Sequence, residues 1–247
     1  MKSKKVKIIS ISLAALLLLG IGGYLGIRVY GDFRVDKDAG RTDKQLSIAS
    51  AQDRGEAALR AFNTGRDVVV AYVGGQPVYQ NDAQISKLKK DLAYQYNQAY
   101  GDKKTRPKTD AECIRDAAKY KLAEILLREN DIVITKEEMI KDMLEFNQKS
   151  RETVAAGGDT DGEIKKRLEM DVEFAKGMGM TEEEYINGVG SDWQLDAKRL
   201  GAAVPIISAE DNKKLVENPN YKAKSLEELW DEWLEKYDFK IVKSKLE

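Results

Sequence analysis

An uncharged run of 20 residues, Ile8 to Ile27, with Leu16-Leu17-Leu18-Leu19 at its centre, is the strongest single constraint on this 247-residue chain. At about 1.5 Å per helical residue it matches the roughly 30 Å hydrocarbon core of a bilayer. Lys2, Lys4, Lys5 and Lys7 precede it and Arg28 closes it. Lysines ahead of an apolar span stay on the cytoplasmic side. The expectation is a cytoplasmic basic tail over 1–7, a single transmembrane signal-anchor helix over 8–27 and an extracytoplasmic remainder held at the cell membrane. The alternative is a signal peptide cleaved to leave a secreted protein. Against cleavage, the run exceeds the usual apolar region of about 7–15 residues. It also ends in Gly20, Gly22, Gly23, Tyr24 and Gly26 without an A-x-A site, and no cysteine follows it to carry a lipid.

Composition narrows the chemistry of the rest. The chain has no histidine and one cysteine, Cys113. Ser-His-Asp and Cys-His catalysis, His-containing zinc sites, multi-cysteine metal sites and intrachain disulfides are therefore excluded. Overall, 41 basic residues face 42 acidic ones. Without residues 1–27 and their four lysines, 37 basic residues face 42 acidic, a mild negative balance. Nucleic-acid binders normally carry a basic excess, so nucleic acid is not an expected partner. Cys113 falls in an apparent amphipathic helix, where burial as a small hydrophobe is the expected state.

Beyond the apolar run, residues 28–66 are polar and weakly patterned. An Ala-rich stretch from Asp43 to Phe62 can form a helix, but its stripe of Leu46, Ala57, Leu59 and Phe62 is thin. These residues are expected to form a stalk, partly helical and loosely attached. Val68-Val69-Val70-Ala71-Tyr72-Val73 is β-branched and apolar, the strongest strand pattern in the chain. Gly74-Gly75 breaks it and Gln76-Pro77-Val78-Tyr79 returns.

Everything after Asn81 has helical spacing. The stripes run through Ile85, Leu88, Leu92, Tyr96 and Ala99, then Ile114, Ala118, Leu122, Ile125 and Leu126, then Met139, Met143 and Phe146. Further stripes follow at Ile164, Leu168, Val172 and Ala175, at Tyr185, Val189 and Trp193, and at Leu226, Leu229, Trp230, Trp233 and Leu234. Asp131-Ile132-Val133-Ile134 is an extended joint and Gly157–Gly162 a loop. Thr109 with Glu112, Thr135 with Glu138, Thr181 with Glu184 and Ser225 with Glu228 have capping-box spacing. Ser208 with Asp211 is a weaker match and predicts a separate short helix. The last segment, Tyr237 to Val242, alternates like a strand. Lone strands leave backbone groups unpaired, so Val68–Val73 is predicted to pair with Phe239–Val242. The fold class is thus mainly α: a helical domain over 67–247 with a small β-sheet joining its first and last strands.

No catalytic or metal site emerges. Glu182-Glu183-Glu184 are consecutive on a helix and cannot converge; the helix dipole explains them. Counting from Asp159, a calcium loop needs an acid at its twelfth position, where Met170 stands. Gly177-Met178-Gly179-Met180 has no GK[ST] after it and no strand before it. The tryptophans, at helical spacing, belong to the core. The aromatic candidates are Tyr94, Tyr96 and Tyr100 on one helix, with Met139 and Met143 on another. Together they combine amphipathic and adaptable surfaces that suit an apolar peptide. Packing of the helices against one another explains the same five residues equally well.

In order and spacing these segments resemble SurA-type and PrsA-type chaperone domains. Val68–Val78 is similar to the family's VVAxVNGxxIT opening, with Gly74-Gly75 in place of Asn-Gly and Val78-Tyr79 in place of Ile-Thr. Asn130–Glu138 resembles its xGIxVTxEE joint, Gly179–Tyr185 its GLSxEEY helix start, and Phe239–Val242 its final strand. The resemblance spans about 68–242. It implies a SurA-N-like helical chaperone module that binds unfolded or exported polypeptides without a cofactor. Many members insert a parvulin prolyl isomerase domain before the last helix. Here Pro219 to Lys224 leaves no room for one, so no isomerase activity is expected. The competing readings are a structural or regulatory module for one dedicated cell-envelope partner, and a degenerate isomerase.

Overall fold

The structure, a computed structural model, describes residues 48–99, 106–218 and 220–246. The basic tail, the apolar run over 8–27, most of the stalk and Tyr100 lie outside the described residues. No helix among those described is long and apolar enough to cross a membrane.

In chain order the elements are helix α1 (Ile48–Asn63), strands β1 (Val69–Val73) and β2 (Gln76–Tyr79), then helices α2 (Gln80–Ala99), α3 (Asp110–Glu129), α4 (Lys136–Ala155) and α5 (Glu163–Gly177). The short helix α6 (Glu182–Tyr185) leads through a π-helical segment, Ile186–Gly190, into the long helix α7 (Ser191–Glu217). Helix α8 (Leu226–Lys236) and strand β3 (Lys240–Ile241) are the last elements among the described residues. The fold is mainly helical with one three-stranded sheet, ordered β2-β1-β3.

The sheet closes the domain on itself as predicted. β1 pairs antiparallel with β3, Ala71 opposite Ile241 and Tyr72 opposite Lys240. The Val242 amide donates to the Val70 carbonyl at 2.9 Å. β1 and β2 form a tight hairpin in which Gly74 (φ 54°) and Gly75 (φ 73°) take the left-handed turn that glycine favours. The inner face of the sheet, Val70, Ala71, Val73 and Val78, packs on Ile114, Ala118, Leu122 and Leu126 of α3, Ile207 of α7 and Trp230 and Leu234 of α8. This first core also encloses Cys113's neighbour Ile114. Cys113 itself is free and fully buried, and burial pushes its thiol up to about 11. Such a thiol stays protonated and unreactive.

All four strong capping boxes form. Thr109, Thr135, Thr181 and Ser225 each accept from the backbone of the residue three further on, whose glutamate returns the bond. The fifth does not. No helix starts at Ser208: its hydroxyl donates to the Val204 carbonyl, and α7 runs straight through Pro205. A proline inside a helix loses one backbone bond. Here Pro205 faces solvent, while Leu195, Ala203, Ile207 and Asp211 keep a buried stripe continuous across it. Asp211 instead accepts the Tyr221 hydroxyl at 2.6 Å and the Lys224 amide at 3.3 Å, pinning the link between α7 and α8.

The expected loose helix is also different. α1 lies firmly against α5, backbone on backbone. A Cβ built on Gly55 would sit 2.1 Å from the Phe174 carbonyl oxygen, and one on Gly177 would sit 2.1 Å from that of Gln52. Only glycines allow this approach, and they seat Ala51 and Ala58 without any exposure. Phe146, assigned to a core stripe, is exposed, and the Arg167 guanidinium covers its ring at 4.1 Å.

Candidate functional site

α1, α5 and the segment around α6 build a second core, separate from the one under the sheet. Ala58, Ala175, Met178, Tyr185, Ile186 and Val189 are buried in it. At its margin Leu88, Met143, Phe174, Met180 and Trp193 are half-buried. Phe174, Tyr185 and Trp193 meet edge-to-face, with centroids 5.7 to 6.4 Å apart, the favoured geometry for aromatic quadrupoles. The π-helical segment makes this arrangement possible. Gly188 leaves helical geometry, and Gly190 lets the Tyr185 ring approach where a Cβ would stand 2.8 Å from it.

Of the five candidate peptide-binding residues, the methionines and tyrosines fare differently. Met143 joins the margin of the second core. Met139, in the first turn of α4, is buried. Tyr94 is half-buried on α2, the helix that also sends Leu88 to the second core. Tyr96 lies within α2.

Sequence spacing does not single out Phe174, and Met178 and Met180 enter it only within the rejected phosphate-loop match over Gly177–Met180. Beside them an open depression of about 490 Å³ is lined by Val172, Lys176, Gly179, Met180, Thr181, Glu182 and Glu184. Buried ligand pockets enclose most of a small molecule. This depression is too open to do so. Its polar wall is well satisfied. Glu182 accepts from Asn147 at 3.1 Å and from Arg151 at 2.5 Å, and Glu184 closes the Thr181 cap. Asp159, the first acid of the loop that has partial calcium spacing, accepts the amides of Ile164 and Lys165 and so starts α5.

Two carboxylates at the edges of this region are forced towards neutrality. Burial pushes Asp171 up to about 6, and the nearby Glu182 adds to this against the pull of Arg167. Burial likewise pushes Asp196 up to about 6, with Asp82 and Asp192 adding to it against Lys89 and Arg199. An acid whose pKa is raised by folding binds its proton more tightly in the native state. Stability therefore falls as pH rises from about 4 to about 6 and stays reduced above that window. Replacing Asp171 and Asp196 by Asn is expected to raise Tm at pH 7.5 and to change it little at pH 4. Equal shifts at both pH values would show that the two carboxyls carry no such penalty.

No family model matches this chain, and no curated protein or solved structure matches it either.

Proposed function

We propose that this is a membrane-anchored, extracytoplasmic, chaperone-like protein of the SurA/PrsA type that holds unfolded or extended exported polypeptides and has no prolyl isomerase activity. The observation that carries this reading is the return of the last strand to the first, with the helices between them, in the order the motifs imply. The short link between α7 and α8, tied to Asp211, supports a module without an inserted domain. The second core supports client binding: methionine and aromatic side chains at a solvent-facing margin adapt to varied apolar sequences. The anchor rests on the run over 8–27 and on the lysines before it.

The test uses the full chain in nanodiscs, mixed with chemically unfolded proteins of unrelated sequence. Suppression of their aggregation without ATP is the expected result. Replacing Tyr94 by Ser should weaken it while changing stability by less than about 1 kcal/mol, as for sites outside a core. Indifference to every unfolded protein, together with stoichiometric capture of one folded envelope protein, would replace the chaperone by a dedicated interaction module.

A further inference from the structure

α3 packs against both α2 and α7, and a side chain from each of the three helices meets at their junction. The Lys89 ammonium of α2 stands 5.0 Å from the ring centroid of Trp193 on α7 and 5.7 Å from that of Tyr120 on α3. Trp193 is fixed from behind by its edge-to-face contacts with Phe174 and Tyr185. Asp196 follows Trp193 by one turn on the same face of α7. Its charge exerts the largest pull on Lys89, and that of Lys89 the largest pull on Asp196. The other charges around the pair are Asp82 and Lys90 on α2, Asp116 and Lys121 on α3, and Asp192 and Arg199 on α7. Asp192 is in turn held by Lys136 of α4 at 2.8 Å.

Lys87, Lys214 and Lys224 bond carboxylates, which push their pKa values up. Lys89 goes the other way. Crowding of its ammonium by protein outweighs the pull of Asp196, Lys90 repels it, and its pKa falls below the ordinary lysine range. Lys89 is nonetheless exposed to solvent, so a small molecule has access to it. A lysine in this setting is more often the neutral amine, which is the nucleophilic form. Asp196, raised by burial to about 6, keeps a protonated fraction near neutral pH and so serves as a proton donor. Tyr120, pushed up by burial to about 12, stays a neutral wall.

We propose that Lys89, Trp193, Tyr120 and Asp196 form a carbonyl-binding site that takes a small aromatic aldehyde as a reversible imine on the Lys89 amine. This is independent of the chaperone reading. The neutral amine attacks the carbonyl carbon, a C–N bond forms and the C=O π pair moves to oxygen. That oxygen takes a proton from the Asp196 carboxyl, and the resulting carboxylate takes one from the nitrogen. The carbinolamine hydroxyl then accepts the Asp196 proton and leaves as water. A protonated imine and a carboxylate remain. The new cation keeps the place of the ammonium against the two rings, and the aldehyde's own ring stacks on them.

The test uses the full chain in phosphatidylcholine nanodiscs, benzaldehyde as the probe and timed quenching with borohydride, which reduces the imine to a stable amine. Peptide mapping should find the adduct on Lys89 before any other lysine, and Lys89→Arg should lose it. Adducts spread evenly over the lysines of the unaltered chain overturn the proposal, and this arm needs no variant to fold. Asp196→Asn should slow the reaction about tenfold, as loss of a proton donor does. A carboxyl that acted only as a charge would have the opposite effect, because without it Lys89 is neutral more often. Between about pH 6 and pH 8 the unaltered rate should stay nearly level, the neutral amine gaining what the protonated carboxyl loses. In Asp196→Asn it should climb with pH. An Asp196→Asn rate equal to or above that of the unaltered chain overturns the proposal.

Discussion

Deleting residues 239–247 from the full chain is expected to remove several kcal/mol of stability and to abolish cooperative unfolding of the first core. β3 is one flank of the central strand: without it the Val70 carbonyl loses the amides of Val242 and Lys243. Each backbone bond contributes a net of about 0.5–1.5 kcal/mol, and an unpaired buried group costs more. Two apolar contacts go as well. Phe239 packs on the first core with the Arg115 guanidinium 5.6 Å from its ring, and Leu246 packs beside it while its amide donates to Asp110 at 3.1 Å. Burying even part of a Phe and a Leu contributes about 2–4 kcal/mol, on the scale of about 1.5–3 kcal/mol for each fully buried side chain. The total is a large share of the roughly 5–15 kcal/mol that holds a domain. Urea unfolding followed by tryptophan fluorescence measures it, since Trp230 lies in this core. A truncated chain with an unchanged midpoint would mean that β1 is held by β2 and the helices alone.

What could be read from the sequence was local or strongly apolar. The four working capping boxes need only residues three apart, so their spacing was sufficient. The pairing of β1 with β3 spans most of the domain, yet it was legible because each is an extended apolar segment in a helical chain and each needs a partner. Ser208 and Asp211 had cap spacing and failed, because the buried stripe of α7 extends through Pro205 and because Asp211 is engaged by Tyr221 and Lys224. Neither effect is local. The seating of α1 was illegible for a different reason. It depends on two glycines distant in sequence, Gly55 and Gly177, and hydropathy registers side chains that are present, not the space left by those that are missing. The same holds for the site. Tyr94 and Tyr96 share one helix and could be grouped from spacing, whereas Phe174, Met178 and Met180 acquire meaning only when α1, α4 and the π-helical segment converge on them.

Replacing Asp116 by Ala is expected to cost about 3 kcal/mol at pH 7, because it removes the partner of a buried charge. The Lys119 side chain is only 7% exposed, and its ammonium lies 3.3 Å from Asp116 and 2.5 Å from Glu227. Asp116 also accepts from Lys108 at 2.9 Å and has Lys90 at 3.8 Å. When the carboxylate is lost, Lys90 and Lys108 turn to water, but Lys119 keeps only Glu227. Replacing both members by apolar groups removes the unpaired charge as well as the pair. The double variant Asp116→Ala with Lys119→Met should therefore recover most of the loss. The pH dependence provides an independent check. Burial alone would push the Asp116 carboxyl up, yet the Lys108 hydrogen bond and the charges of Lys90 and Lys119 hold it below the ordinary carboxylate range. A depressed acid contributes stability above its unfolded pKa of about 3.9 and loses it as pH falls through the native value. The gap between Asp116→Ala and the unaltered chain should accordingly narrow between pH 7 and pH 3. A gap of the same size at both pH values, or none at pH 7, would show that the lysines around Asp116 are held by solvent rather than by this carboxylate.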